Sequence, residues 1–101
     1  MWSMVMFDLP VKTKTERTRA TRFRELLLDL GYQRAQFSVY VRFSPSVSSI
    51  LPTIGRIKKN VPTGGEARIV TLTDHQWATA LRFSNARSIL SEDAPLQLAI
   101  F

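Results

Sequence analysis

The sequence predicts an α+β sandwich, with helices laid on one face of a sheet, and three observations carry that prediction. Two stretches with apolar residues at helical spacing lie between stretches of strand-like character. The first helical connection is long enough to cross over between strands. The chain has 101 residues and 45% hydrophobic content, which fits one compact domain over residues 1–101 with a modest core.

The first element is a strand over residues 2 to 8, with Trp2, Met4, Met6 and Asp8 on one face and Ser3, Val5 and Phe7 on the other. Both faces are largely apolar, as in a central strand covered on both sides, and Pro10 stops the ladder. Thr13-Lys14-Thr15-Glu16 is a capping box, in which the Thr hydroxyl accepts from the third helical amide and Glu16 reaches back to the Thr13 amide. The helix that follows places Ala20, Phe23, Leu27 and Leu30 on one stripe, and Gly31 suits a left-handed C-terminal residue. Residues 33–43, QRAQFSVYVRF, alternate strictly and predict a strand with Ala35, Phe37, Val39, Val41 and Phe43 on one face and Gln36, Ser38, Tyr40 and Arg42 on the other.

A second helix starts near Ser48 or Ser49, because Pro52 is tolerated only in a first turn, and Pro62-Thr63-Gly64-Gly65 ends it. EARIVTLT, residues 66–73, is a strand of β-branched residues. Thr73-Asp74-His75-Gln76 repeats the capping-box pattern and predicts a helical turn carrying Trp77. RFSNARSILSEDAP then reads as a weak strand and polar loop, and LQLAIF as a short final strand. Together the elements predict a ferredoxin-like βαββαβ sandwich with an additional short C-terminal strand. Its bare sheet face, carrying residues such as Trp2, Met4, Met6 and Tyr40 or their opposites, calls for a partner subunit, and a two-fold homodimer is the expected one.

Fourteen Lys and Arg against eight Asp and Glu give a net charge of +6, which points to a polyanion, nucleic acid first, or else to a merely solvated basic surface. Cysteine is absent, so disulfides and thiolate chemistry are excluded, which fits a reducing cytoplasm. MWSMVMF is too short to span a membrane and has no basic residue before it, so it reads as a strand of the mature protein, with no membrane partner expected.

Asp8 ends the first strand just before a basic segment. By itself it reads first as a turn-forming carboxylate bonding nearby amides, and no second acid, histidine or lysine with general-base spacing stands beside it. Lys12, Lys14, Arg17, Arg22 and Arg24 are candidates for phosphate contacts, with Lys58 and Lys59 a smaller second patch; a solvated helix face is the alternative. Lys14, Arg17 and Arg24 share one flank of the helix while Arg22 lies behind. Ser38 fits either a phosphate ligand near Asp8 or a small residue at a dimer face, and Tyr40 either a base-stacking ring or dimer packing. His75 reads as surface.

MFDLP at the end of the first strand, Glu16 and Arg17 with Phe23 and Arg24, QFSVY (36–40), GRIKKNVP (55–62) and IVTLTDHQW (69–77) together resemble the small CRISPR-associated adaptation proteins of the Cas2 family, in the type II-like form with the FDLP turn. The resemblance covers nearly the whole chain. It implies a ferredoxin-like homodimer bridging the CRISPR-associated integrase in the complex that captures foreign DNA as spacers. It also implies a metal-dependent endonuclease acting on RNA or duplex DNA, with Asp8 as catalytic residue and metal ligand. Magnesium, or manganese in its place, is the implied cofactor, and two-fold symmetry lets Asp8 and its mate share one ion. LQLAIF is implied to pair with the partner subunit's sheet, and the little chain after it puts in question the integrase contacts that longer relatives make. A non-catalytic DNA-binding scaffold and a related endoribonuclease toxin are the competing functions. An RNA-recognition domain is weaker, since EARIVTLT has no aromatic to stack a base.

Overall fold

Seven regular elements, in a computed structural model that describes residues 1–85, follow the chain order strand, helix, strand, strand, helix, strand, helix. The strands are β1 (Trp2–Asp8), β2 (Gln33–Gln36), β3 (Val39–Phe43) and β4 (Glu66–Leu72); the helices are α1 (Lys14–Asp29), α2 (Leu51–Asn60) and the short α3 (Asp74–Ala78). The sheet order is β2-β3-β1-β4 with every neighbouring pair antiparallel, which is the ferredoxin-like arrangement. The expected additional strand at LQLAIF lies outside the described residues, as does most of the weak strand before it; residues 82–85 have no regular structure.

β1 is central, as its two apolar faces require. Val5 and Phe7 are buried against Ala20, Phe23 and Leu27 of α1 and Ile57 of α2, whereas Trp2, Met4 and Met6 on the other face are half-buried. Each fully buried Val, Leu or Phe contributes about 1.5–3 kcal/mol relative to exposure. Phe7 and Phe23 meet edge to face at 5.2 Å, tying strand to helix. On the open face Trp2 stacks on Trp77 of α3 at 5.1 Å and meets Phe43 of β3 edge-on at 5.6 Å.

Both ends of α1 are chemically specified. Thr13 Oγ1 accepts from the Glu16 amide at 3.1 Å, and Glu16 Oε1 accepts from the Thr13 amide at 2.9 Å. At the other end Gly31 has φ +93°, its amide donates to Leu28, and the Tyr32 amide donates to Leu27, which is the Schellman arrangement. That turn aims Tyr32 back under the sheet, where its hydroxyl shares a buried 2.7 Å hydrogen bond with Ser3 Oγ of β1. The second capping box forms as well, between Thr73 and Gln76, and Pro52 sits in the first turn of α2 behind a 3₁₀ turn at Val47–Ser49.

The stretch 33–43, expected as one strand, is a hairpin: β2 ends at Gln36, Phe37 and Ser38 make the turn, and β3 begins at Val39. A two-residue turn ordinarily shifts the phase of apolar alternation between its strands. Here a bulge between Arg34 and Gln36 shifts it back, so that Gln33 faces Val41 and Arg34 faces Tyr40, and the alternation runs on unbroken through the turn. The same register pairs Tyr40 with Val5, so Tyr40 is buried in the core under the helices and is not on the bare face.

Ser3→Ala leaves the buried Tyr32 hydroxyl unpaired and is expected to destabilise the protein by about 1–3 kcal/mol in urea denaturation. Ser3→Ala combined with Tyr32→Phe should cost less than Ser3→Ala alone; a larger loss would mean the pair is not what Ser3 provides.

Candidate functional site

Asp8 is exposed at the end of β1, and its position is fixed by what lies opposite. β1 and β4 pair along their length, from Trp2↔Leu72 to Asp8↔Glu66, so the last residue of β1 stands beside the first of β4. Directly opposed residues point to the same face with Cβ atoms about 4.5–5.5 Å apart, so two exposed carboxylates project side by side. Glu66 is thus the second acid that the sequence did not reveal next to Asp8. Arg68, two residues along the same face, reaches Glu66 Oε1 with Nη2 at 3.4 Å. Met6, Phe7, Asp8, Glu66 and Arg68 line a shallow depression at this rim.

The backbone is built for this approach. Gly64 takes φ +84°, and a Cβ on Gly65 would stand 2.6 Å from Leu9 Cδ2 and 3.5 Å from the Asp8 carbonyl, so the chain entering β4 passes close against the chain leaving β1. Among the described residues the Asp8 carboxylate receives no hydrogen bond, which removes the turn-forming reading. Glu16 serves those amides instead, accepting from both Lys12 and Thr13 at 2.9 Å.

Ser38 is beside this rim, in the β2–β3 turn and not in a strand: its carbonyl accepts from the Phe7 amide at 3.1 Å. Its neighbour Phe37 is 72% exposed. Arg24 lays its guanidinium 5.6 Å from the Phe37 ring centroid and 5.8 Å from that of Phe7, and Arg34 lies 5.9 Å from Phe37. Tyr40, buried, is not accessible to a base. His75 is exposed in the first turn of α3, as expected.

The other cations spread along α1 and past it. Lys14, Arg17 and Arg22 border one surface depression on α1 that Arg24 does not reach. Arg17 also donates to the carbonyl of Lys12 at 3.1 Å and more weakly to that of Val11, which ties the loop carrying exposed Lys12 to the helix. Arg22, with Arg19, faces Lys59 across a groove between α1 and the end of α2. Arg19 was not among the sequence candidates, though it lies on the same exposed side of α1. Lys58 is exposed beside Lys59.

Residues 1–80 match the family model for the CRISPR associated protein Cas2. The chain belongs to the Cas2 family. It is 43% identical over 101 residues to a CRISPR-associated endoribonuclease Cas2 of Paracidovorax avenae, covering 100% of this chain and 94% of the relative. It is 34% identical over 101 residues to the protein of the same name from Flavobacterium psychrophilum, covering 100% and 88%. The crystal structure of Streptococcus pyogenes Cas2 at pH 6.5 superposes with a TM-score of 0.66 at 21% identity, over 83% of this chain and 100% of that one, and shares the fold.

The donor set at the rim of this Cas2 chain suits a hard divalent cation. Magnesium takes oxygen ligands, commonly one or two carboxylates, and fills its other positions with water and phosphate. Asp8 and Glu66 supply two carboxylates in the open, and among the described residues no group of three or more His, Cys, Asp or Glu side chains is placed to hold a metal ion. Among the same residues, no helix is long and apolar enough to cross a membrane.

Glu16 holds the loop between Asp8 and α1, and its charge makes that support pH-dependent. The Thr13 amide, joined by that of Lys12, stabilises the carboxylate and lowers its pKa below the ordinary 4.5. A carboxylate with a lower pKa folded than unfolded stabilises the fold fully above its unfolded value, and that contribution is lost as pH falls through the folded one. Urea denaturation over a pH series should therefore show wild-type stability dropping in acid below 4.5 more steeply than that of Glu16→Gln, which keeps the acceptor but does not titrate. Parallel curves would rule the linkage out.

Proposed function

We propose that this chain is a CRISPR adaptation subunit whose strand-end carboxylates form a metal-dependent endonuclease site. The observation that carries the reading is Asp8 standing opposite Glu66 at an exposed rim bordered by Arg68. The substrate is a phosphodiester of RNA, since the relatives are named endoribonucleases, with duplex DNA the second substrate to be compared. Asp8 and Glu66 hold the magnesium, or manganese in its place, with Asp8 as the catalytic ligand. When bound, such an ion polarises the phosphoryl oxygens and lowers the pKa of water. Arg68 sets a guanidinium where a phosphate oxygen gathers charge, and Ser38 borders the path to it.

Lys12, Lys14 and Arg17 on one side of α1 and Arg22 on the side toward α2, with Lys58 and Lys59, position the nucleic-acid backbone without reading its sequence. A second copy of the chain covers the open sheet face, where Trp2, Met4, Phe43, Val70 and Leu72 present apolar surface. The homodimer works in the cytoplasm and bridges the CRISPR-associated integrase. A non-catalytic DNA-binding scaffold is the second reading, favoured by the absence of any histidine or lysine from the Asp8 depression.

Cleavage of RNA and of duplex DNA with magnesium, at one stated salt concentration because phosphate binding is salt-dependent, separates the readings. Asp8→Ala is expected to abolish cleavage and Glu66→Gln to reduce it by about tenfold or more. Cleavage that survives in Asp8→Ala sinks the catalytic assignment. Spacer capture and integrase assembly retained by the same variant would leave the scaffold reading standing.

A further inference from the structure

We propose that Phe37 is a stacking platform for an unpaired nucleobase beside the Asp8 rim, with Arg24 and Arg34 gripping the phosphates on either side of that base. The proposal rests on the reading of the rim as a nucleic-acid site and adds which form of nucleic acid it takes.

Four observations converge. Phe37 presents an aromatic ring that is 72% exposed in a two-residue turn, where a polar residue would ordinarily serve. Two guanidiniums from different elements, Arg24 of α1 and Arg34 of β2, approach that ring at 5.6 and 5.9 Å, yet leave most of it open. The turn is pinned to β1 by the Phe7 amide donating to Ser38, one residue before Asp8. Arg24 spans the gap, lying over Phe7 and Phe37 at once. An open π-face with cations at its edge and a pair of carboxylates nearby is the chemistry of a nucleotide subsite, in which the base stacks and the flanking phosphates meet the guanidiniums.

The charges argue for this occupant over a second copy of the chain. Among the described residues neither Arg24 nor Arg34 is in an ion pair. A protein seam closing over Phe37 would strip water from two positive groups, which is costly unless it sets anions against them. A nucleic acid brings the missing anions with it. Because paired bases hide their faces within the stack, the platform selects single-stranded or frayed substrate, whereas the cations along α1 make no such distinction.

The test is a binding measurement with chelator present, so that no cleavage intrudes, at fixed salt, using a labelled short single-stranded RNA and a duplex RNA of the same length. Phe37→Ala should bind the single strand about fivefold to a hundredfold more weakly and the duplex as wild type does. Phe37→Leu should resemble Phe37→Ala, since it keeps apolar bulk without a π-face, and Phe37→Trp should retain wild-type affinity. The salt dependence of duplex binding should not change, because the ring carries no charge.

Equal loss on both RNAs, no loss on the single strand, or wild-type binding by Phe37→Leu overturns the platform. So does a Phe37→Ala protein whose self-association weakens in sedimentation equilibrium while its single-strand affinity is unchanged, which assigns the ring to a protein seam. If the wild-type chain binds neither RNA, the nucleic-acid reading itself fails, an outcome distinct from wild-type binding that is indifferent to Phe37.

Discussion

The antiparallel pairing of β1 with β4 is the constraint on which the rest depends. The two strands are far apart in sequence, and only the crossover through α2 brings β4 alongside β1. Their register decides two things at once. It buries Val5 and Phe7 on the helical side with Ile69 and Ala67 opposite them, and it sets Asp8 against Glu66 on the other. A slip of one residue would turn the core side chains of β4 toward the open face. Core and candidate site therefore stand or fall on one set of hydrogen bonds.

The helical layer supports that register from behind. α1 is held at its start by the Thr13 and Glu16 exchange and at its end by Gly31, and the turn at Gly31 directs Tyr32 to Ser3, the residue of β1 nearest the opposite end from Asp8 whose side chain enters the core. The helix that carries most of the candidate phosphate contacts is thus clamped to the strand that carries the acid. Arg24 makes the link tangible: its stem leaves α1, and its guanidinium lies over Phe7, next to Asp8 in the chain.

What could be read from the sequence was local. The two capping boxes, the glycine after α1, the proline in the first turn of α2 and the strand character of β1 and β4 each depend on a few consecutive residues, and each formed. Phe37 and Ser38 hid a turn because neither is a turn-forming glycine, asparagine or proline, and because the bulge after Arg34 restored the alternation that a turn ordinarily breaks. Placing Tyr40 on the bare face followed from reading through that turn; its pairing with Val5 puts it inside. Glu66 was missed for a different reason. Its sequence neighbours say nothing about Asp8, although the strand order expected for the fold puts the start of β4 beside the end of β1, and that topology was enough to find it.

Opposed carboxylates on neighbouring strands repel, and among the described residues this pair is not neutralised at close range. Like charges directly opposite one another weaken a sheet, and among the described residues the guanidinium at hand, Arg68, meets Glu66 at 3.4 Å with both side chains more than 70% exposed, a contact too solvated to offset much. Elsewhere the chain has cations to spare, fourteen against eight acids, yet none of the lysines reaches into this depression. Two acids left so weakly shielded among the described residues of a basic chain are what the proposed function uses as a local sink for a divalent cation. On the proposed reading the two signs work together: the basic flank draws in the backbone, and an ion held at the acidic rim lets a phosphodiester, itself an anion, approach Asp8 and Glu66.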